Sequence, residues 1–172
     1  MILTGKEIEH SVALGKIVID PFCPTNIGPN SYDFQLGGRY RRYTSEVLDA
    51  RTENSSVEAD IPDDGLLLTP DVVTLVNTEE VIGSFHFVPI IRGRSSVGRL
   101  GLFVHITADI IDLGSVNQLT LQLHAVTPVR VYRGMLIGQV TFWVPRGEII
   151  PYTGKYGRVR SPSASLIHQD QQ

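Results

Sequence analysis

The sequence predicts a mainly β domain, a distorted jelly roll or barrel with one short helix at its N-terminus. Short runs rich in Val, Ile, Thr and aromatic residues follow one another along residues 32–145, and Gly, Pro, Asn or Asp separate them. Strands of this length and spacing are typical of sandwiches, jelly rolls and barrels. The chain has 172 residues, which is enough for one domain with a hydrophobic core. A helix signal stands only at the start.

That helix is predicted over residues 5–14. Thr4 and Glu7 have the spacing of a capping box, in which the Thr hydroxyl accepts from the third backbone N–H and the Glu reaches back. Gly15 is expected to end the helix. "KIVID", residues 16–20, then predicts a short buried strand, and the proline-rich residues 21–31 predict a loop.

Nine more strands are predicted after this loop. They cover residues 32–37, 39–44, 65–70, 72–78, 85–91, 103–112, 118–126, 129–134 and 136–145. In residues 118–126, leucines alternate with polar residues, which predicts one buried and one polar face. The acidic residues 46–64 are interpreted as an exposed excursion, with a metal-binding loop as the alternative. Residues 1–172 are expected to form one domain. Within it, the tail 153–172 is interpreted as either a frayed terminus or a mobile lid.

Composition excludes several function classes. The formal net charge of -3 does not predict attraction to nucleic acid or to an anionic membrane. The single cysteine cannot form an internal disulfide, and the ligand spacings of a zinc site are absent. No apolar run approaches the roughly 20 residues of a membrane span, and the N-terminus does not resemble a signal peptide. The expected location is the cytoplasm.

The densest motif is "RGRSSVGR", residues 92–99. Arg94 and Arg99 flank Ser95 and Ser96, and arginine forks with serine hydroxyls match the oxygens of a phosphate group. A solvated basic turn is the alternative. Further along, Asp112 stands at a predicted strand-to-turn junction, where its carboxylate could hold a sugar hydroxyl or orient a water molecule. A turn-capping Asp is the alternative there.

These residues resemble a known family. "RSSVGRLGL" followed by "VHITADIID" resembles the dCTP deaminases, which share a superfamily with the trimeric dUTPases. The opening residues 1–22, "NSYDFQLG", "RGMLIGQVTFW" and "GKYGRV" resemble other blocks of the family in the same order. The resemblance implies a dUTPase-like jelly roll or barrel, a homotrimer with sites at subunit interfaces, and hydrolysis of dCTP to dUTP and ammonia.

The resemblance also implies roles for individual residues. It places Arg94, Ser95, Ser96 and Arg99 on the triphosphate, with Ser95 and Arg99 also near the reacting atoms. It further implies that Thr107, Ala108 and Asp112 hold the base and deoxyribose, and that Lys155 and Tyr156 close over the phosphates as a lid. Mg²⁺ would accompany the nucleotide without protein ligands, no zinc would take part, and dTTP would inhibit.

Position 122 departs from the family. The resemblance implies a glutamate here that shuttles protons during deamination, and this chain has Gln122. An amide can hydrogen-bond the base or a water molecule, but it is not a general base near neutral pH. Two lesser departures are Val159 for a lid glutamine and Asn117 for a hairpin glycine. Asn117 is expected to keep the turn because Asn tolerates positive φ.

Three explanations of Gln122 stay open at the level of sequence. The chain could be a dCTP deaminase in which Gln was introduced for Glu to stop turnover. It could be a dUTP diphosphatase in which Asp112 orients water at the α-phosphorus. It could bind deoxynucleotides without turnover. Asp109 is not expected to replace the glutamate, because in a regular strand it would point away from Asp112.

Four other residues are interpreted as structural rather than catalytic. They are Tyr32, Asp33, His105 and Trp143. Trp143 is expected in the core or at a subunit interface.

Overall fold

The N-terminal helix is confirmed in the computed structural model, which describes residues 1–157 and 159–171. Helix α1, Gly5–Ala13, begins after Thr4, whose Oγ1 accepts from the backbone N–H of Glu7 at 3.4 Å. It ends one residue earlier than predicted, and Gly15 follows with a φ of 69°. Strand β1, Ile17–Asp20, is also confirmed, and its two isoleucines are buried.

The rest of the fold consists mainly of strands. They are β2 Tyr32–Tyr43, β3 Ser56–Asp60, β4 Leu66–Leu68, β5 Thr74–Ser84, β6 Val88–Gly93, β7 Leu102–Phe103, β8 Val116–Ala125, β9 Val129–Val131 and β10 Leu136–Trp143. A one-turn helix, α2 Ser95–Gly98, lies between β6 and β7. Short 3-10 helices cover Pro24–Asn26 and Ile167–Gln171.

Within the described residues, eight strands form one antiparallel sheet. Its path is β6-β10-β2-β5-β8-β7, with β1 also paired to β5 and β3 to β2, while β4 and β9 form a separate ribbon. The segment between β7 and β8 returns to β6, where the N–H of Ile91 donates to Asp109 O at 2.9 Å. β6, the first strand of the path, is thereby hydrogen-bonded to the segment that follows β7, the last strand. The result is a nearly closed barrel, and the predicted fold class is confirmed.

The barrel interior is filled by apolar side chains from opposite strands. Phe34 and Leu36 of β2 are fully buried, as are Leu121 and Leu123 of β8. Burying such a side chain contributes about 1.5–3 kcal/mol. The alternation predicted for residues 118–126 is confirmed, since the leucines are buried and the polar residues between them are half-buried.

Three predicted elements differ in the structure. Residues 104–112 are not a strand, because this segment passes from β8 to β6: Gln122 N donates to Val104 O, and Ile111 N donates to Pro89 O. Residues 32–37 and 39–44 join into the single strand β2. The excursion 46–64 is not wholly a loop, since β3 within it pairs with the end of β2.

Candidate active site

A cavity of about 850 Å³ lies between the polar face of β8 and the C-terminal segment. Gln118, Thr120 and Gln122 of β8 line one wall, and Tyr156 and Val159 of the C-terminal segment line another. The polar face of β8 therefore faces a half-open cavity. Its volume is in the range of small-molecule sites.

Six residues singled out in the sequence line this cavity together. They are Ala108, Asp112, Asn117, Gln122, Tyr156 and Val159. They come from two parts of the barrel wall and from the C-terminal segment, which are distant in sequence. The fold thus brings together two of the three residues that the resemblance placed around the base and sugar, Ala108 and Asp112, with position 122 and one residue of the predicted lid.

Gln122 is half-buried and held at both its backbone and its side chain. Its backbone N–H donates to Val104 O at 3.2 Å, and its Nε2 donates to Thr120 O at 2.8 Å. One N–H of the amide nitrogen already has an acceptor, so Gln122 can offer a ligand its Oε1 as an acceptor and its second Nε2–H as a donor. It is not a proton shuttle.

Asp112 stands exposed at the start of the turn that leads into β8. The turn is closed by Ser115 N, which donates to the backbone carbonyl of Asp112 at 3.0 Å, so it does not depend on the carboxylate. Gly114 has a φ of 86°, and a Cβ there would lie 3.0 Å from Pro151 Cβ. The glycine therefore lets the C-terminal segment pass close to the turn.

The arginines and serines of residues 94–99 lie apart from this cavity. Ser95, Ser96 and Arg99 are exposed on and after α2, and only Val97 of this turn is buried, at 4% exposure. They do not line the cavity that contains Gln122. Within one chain, the residues predicted to bind the triphosphate are therefore separate from the predicted base pocket.

Arg94 is positioned by Asp33. Its Nε lies 3.0 Å from Asp33 Oδ2. Burial raises the pKa of the Asp33 carboxyl, and the Arg94 guanidinium opposes that rise. Asp33 thus supports structure as predicted, but its particular role is to orient a residue of the predicted phosphate group.

A second ion pair joins Arg92 to Asp109. Asp109 is therefore engaged by a cation, although the reasoning from strand periodicity that set it aside was wrong, because residues 104–112 are not a strand. His105 lies near this pair, and burial followed by the Arg92 charge lowers the pKa of its imidazole. His105 does not line the cavity, which agrees with its interpretation as structural.

The C-terminal segment is packed against the barrel along its described residues. Tyr152 N donates to Leu113 O at 2.7 Å, and Ser163 N donates to Thr120 Oγ1 at 3.1 Å. Lys155 Nζ donates to Leu166 O at 3.0 Å and lies 2.5 Å from an Asp170 oxygen. Its amine is held within the tail in this structure.

Comparison with known proteins decides the family. A family model described as dCTP deaminase-like matches residues 2–144. The chain belongs to the dCTP deaminase-like family. It is 39% identical over 171 residues to the dCTP deaminase, dUMP-forming, of Clostridium beijerinckii, covering 99% of this chain and 98% of that protein. The corresponding protein of Clostridium acetobutylicum is 40% identical over 172 residues, with the same coverage.

Two more comparisons extend the family relationship. The dCTP deaminase of Rhodopirellula baltica is 40% identical over 172 residues, covering 99% of this chain and 86% of that protein. The crystal structure of 2'-deoxycytidine 5'-triphosphate deaminase from Agrobacterium tumefaciens has a TM-score of 0.66 at 22% identity, over 84% of this chain. This chain spans 48% of that longer protein, so the likeness concerns the fold.

Sequence reasoning missed several residues that line the cavity. Tyr43, Glu46 and Asp71 line the cavity from β2, the following loop and the turn before β5. Nothing in their spacing indicates this, because the fold alone brings these segments to β8. Asn117 is the clearest miss: it lies inside β8 rather than in a turn, and the non-glycine residues described have no positive φ.

Thr107, Tyr32 and Trp143 lie outside the cavity. Thr107 is exposed. Tyr32 is fully buried and its hydroxyl accepts from Cys23 N at 3.1 Å, which confirms a structural role. Trp143 is 40% exposed on β10, so it is not a core residue of the single chain. None of the described helices is long and apolar enough to cross a membrane.

Proposed function

We propose that the chain acts on pyrimidine deoxynucleoside triphosphates and that, as written, it hydrolyses dUTP to dUMP and pyrophosphate. The observation that carries this proposal is the pair of groups in the cavity: Asp112 contributes a carboxylate, while position 122 contributes an amide. A carboxylate can orient water and take a proton from it, whereas an amide can orient water but cannot take the proton. Relatives of the same length are named dCTP deaminase, dUMP-forming, which supports dUMP as the product.

In the proposed reaction, Asp112 accepts a proton from a water molecule that attacks the α-phosphorus. A new P–O bond forms, the bond to the β-phosphate oxygen breaks, and pyrophosphate leaves. Gln122 Oε1 accepts a hydrogen bond from the N3–H of uracil, which fixes the base at the end of the cavity away from the phosphates. Placing the water and the phosphorus in line supplies most of the catalysis in such reactions.

The phosphates need positive charge that the cavity of one chain does not present. Ser95, Ser96 and Arg99 are exposed on α2, and apolar Leu100 and Phe103 beside them are each 53% exposed. Exposed apolar side chains in a cluster are typical of an interface. We therefore place α2 of one copy against the cavity of its neighbour in a homotrimer, as the family resemblance implies.

Magnesium fits this proposal without a dedicated protein cage. The described residues contain no cluster of three or more His, Cys, Asp or Glu side chains that could hold a metal ion. Mg²⁺ commonly binds phosphate and water oxygens, so the triphosphate itself would supply its ligands. When bound, the ion neutralises charge on the triphosphate.

The test is pyrophosphate release from dUTP by the chain and by Asp112→Asn. The substitution keeps the shape of the side chain but removes the base, so release should fall by about 10²–10⁴-fold. Asp63→Asn, at an exposed position outside the cavity wall, is the matched control and should retain activity within a few fold. Equal rates for Asp112→Asn and the unaltered chain would remove Asp112 from the mechanism.

Deamination of dCTP to dUTP and ammonia is the second candidate, favoured by the printed names of the full-length relatives. It needs a group at position 122 that can take a proton from water and return it to the leaving amine. Gln122 lacks that capacity, so we expect deamination from a Gln122→Glu variant of this chain and not from the unaltered chain. Either reaction acts on a free nucleotide, as expected for a cytoplasmic enzyme.

A further inference from the structure

The buried side chain of Asn117 joins β8 to the C-terminal segment. Its Nδ2 donates to Tyr156 O at 2.9 Å, and its Oδ1 accepts from Val159 N at 2.7 Å. The same Nδ2 also donates to Ser115 Oγ at 2.9 Å. Asn117 is only 5% exposed, and both ends of its amide are paired.

Residues 152–157 and 159–166, here called the C-terminal strap, continue from this contact along the cavity. Gln118 N donates to Val159 O at 3.1 Å, so the strap adds a backbone bond to the edge of β8. Further along, Ser165 N donates to the hydroxyl of Tyr43 at 2.8 Å. Tyr156 and Val159 line the cavity, so the strap is one of its walls.

The strap is also bonded to itself. The Tyr156 hydroxyl accepts from Leu166 N at 2.7 Å, and Lys155 Nζ donates to Leu166 O at 3.0 Å. These bonds tie its two ends together, so the strap is braced internally. Two side chains of β8 hold it: Thr120 Oγ1 accepts from Ser163 N, and Asn117 pairs with the strap through both ends of its amide.

We propose that Asn117 is a positioning residue that docks the C-terminal strap over the cavity before any nucleotide binds. The consequence for binding rests on the function proposed above, because it takes the cavity as the nucleotide site. A strap that is already docked does not have to be ordered when the ligand arrives, and this raises affinity without a new contact. Nucleotide enters and leaves when the Asn117 bonds open.

Hydrogen exchange in the nucleotide-free protein tests the docking itself. In Asn117→Ala the amides of Gln118 and Ser163, whose own acceptors remain, should exchange about 10–100-fold faster, since the strap loses both of its hydrogen bonds to Asn117. Amides in the middle of β10 should keep their rates. Asn30→Ala, which removes an exposed asparagine from the loop before β2, is the control and should change neither set.

Two outcomes would overturn the proposal: Gln118 and Ser163 exchanging at the same rate in Asn117→Ala, or strap and β10 amides accelerating together. The second would mean that Asn117 supports the whole barrel rather than the strap. Neither outcome depends on whether the protein hydrolyses dUTP, so failure of this inference is distinguishable from failure of the proposed function.

The ligand arm uses α,β-imido-dUTP, which is not hydrolysed at the α-phosphorus. Its dissociation rate, measured by stopped-flow displacement with dUTP, should rise about 10–100-fold in Asn117→Ala, and KM for dUTP should rise more than kcat falls. An unchanged dissociation rate beside faster strap exchange would contradict the link between docking and nucleotide release.

Discussion

Replacing Glu80 by Gln is expected to remove a pH dependence from the stability of the barrel. Glu80 is 1% exposed on β5, and both carboxyl oxygens accept from Gln35 N, at 3.2 and 3.0 Å. Burial raises the pKa of this carboxyl from 4.5 to about 7, with the nearby Glu79 charge contributing to the rise. The folded protein therefore holds a proton that the unfolded chain releases.

The size of the effect follows from the two pKa values. They differ by about 2.5 pH units, and at about 1.36 kcal/mol per unit the full effect is about 3 kcal/mol. Because the folded-state pKa is the higher one, this stability is fully present below pH 4.5. It is lost as the pH rises through about 7, when the buried group must ionise. Glu80→Gln cannot ionise and should not lose it.

The assay is urea unfolding of both proteins at fixed concentration between pH 5 and pH 8.5. The unfolding free energy of Glu80→Gln relative to the unaltered chain should increase by about 3 kcal/mol over that range. Glu148→Gln is the matched control. Glu148 is exposed, so the control should keep the pH dependence. Parallel stability curves for Glu80→Gln and the unaltered chain would refute the reasoning.

Three further predictions concern the site. Arg99→Ala should abolish turnover of dUTP even at saturating nucleotide. Arg51→Ala, at an exposed position, is the control and should be active. Turnover by Arg99→Ala would exclude Arg99 from the phosphate site. Asp33→Asn should raise KM by about 5–10-fold through loss of the charge that orients Arg94, and an unchanged KM in steady-state kinetics would contradict that role. Added dTTP should raise the melting temperature of the unaltered chain, as ligand linkage requires, and an unchanged temperature at millimolar dTTP would exclude binding.

Local sequence patterns correctly predicted the elements that depend on residues close to one another in the sequence. The capping box at Thr4 began a helix, and the Leu alternation of residues 118–126 formed a strand with one buried face. The strand prediction for residues 104–112 was wrong because an alternation of apolar residues does not determine which backbone groups hydrogen-bond to each other. This segment divides its bonds between β8 and β6 and is not a regular strand.

The candidate site was predicted as far as the family resemblance reached. Asp112, Gln122 and Tyr156 come together around one cavity, as that resemblance implied. Asn117 was read as a turn residue because its partners lie 39 and 42 positions away and leave no local signal. The burial of Glu80 was missed for a similar reason, since a bulge in β5 between Asn77 and Val81 interrupts the alternation there.

The decisive measurement is anion-exchange chromatography of dUTP and dCTP after incubation with Mg²⁺ and the chain, beside Gln122→Glu. The chain as written should convert dUTP to dUMP and pyrophosphate and leave the amino group of dCTP in place. Gln122→Glu should release ammonia from dCTP as well. Ammonia release by the chain as written at the rate of Gln122→Glu, or no change in dUTP with either protein, would contradict the account.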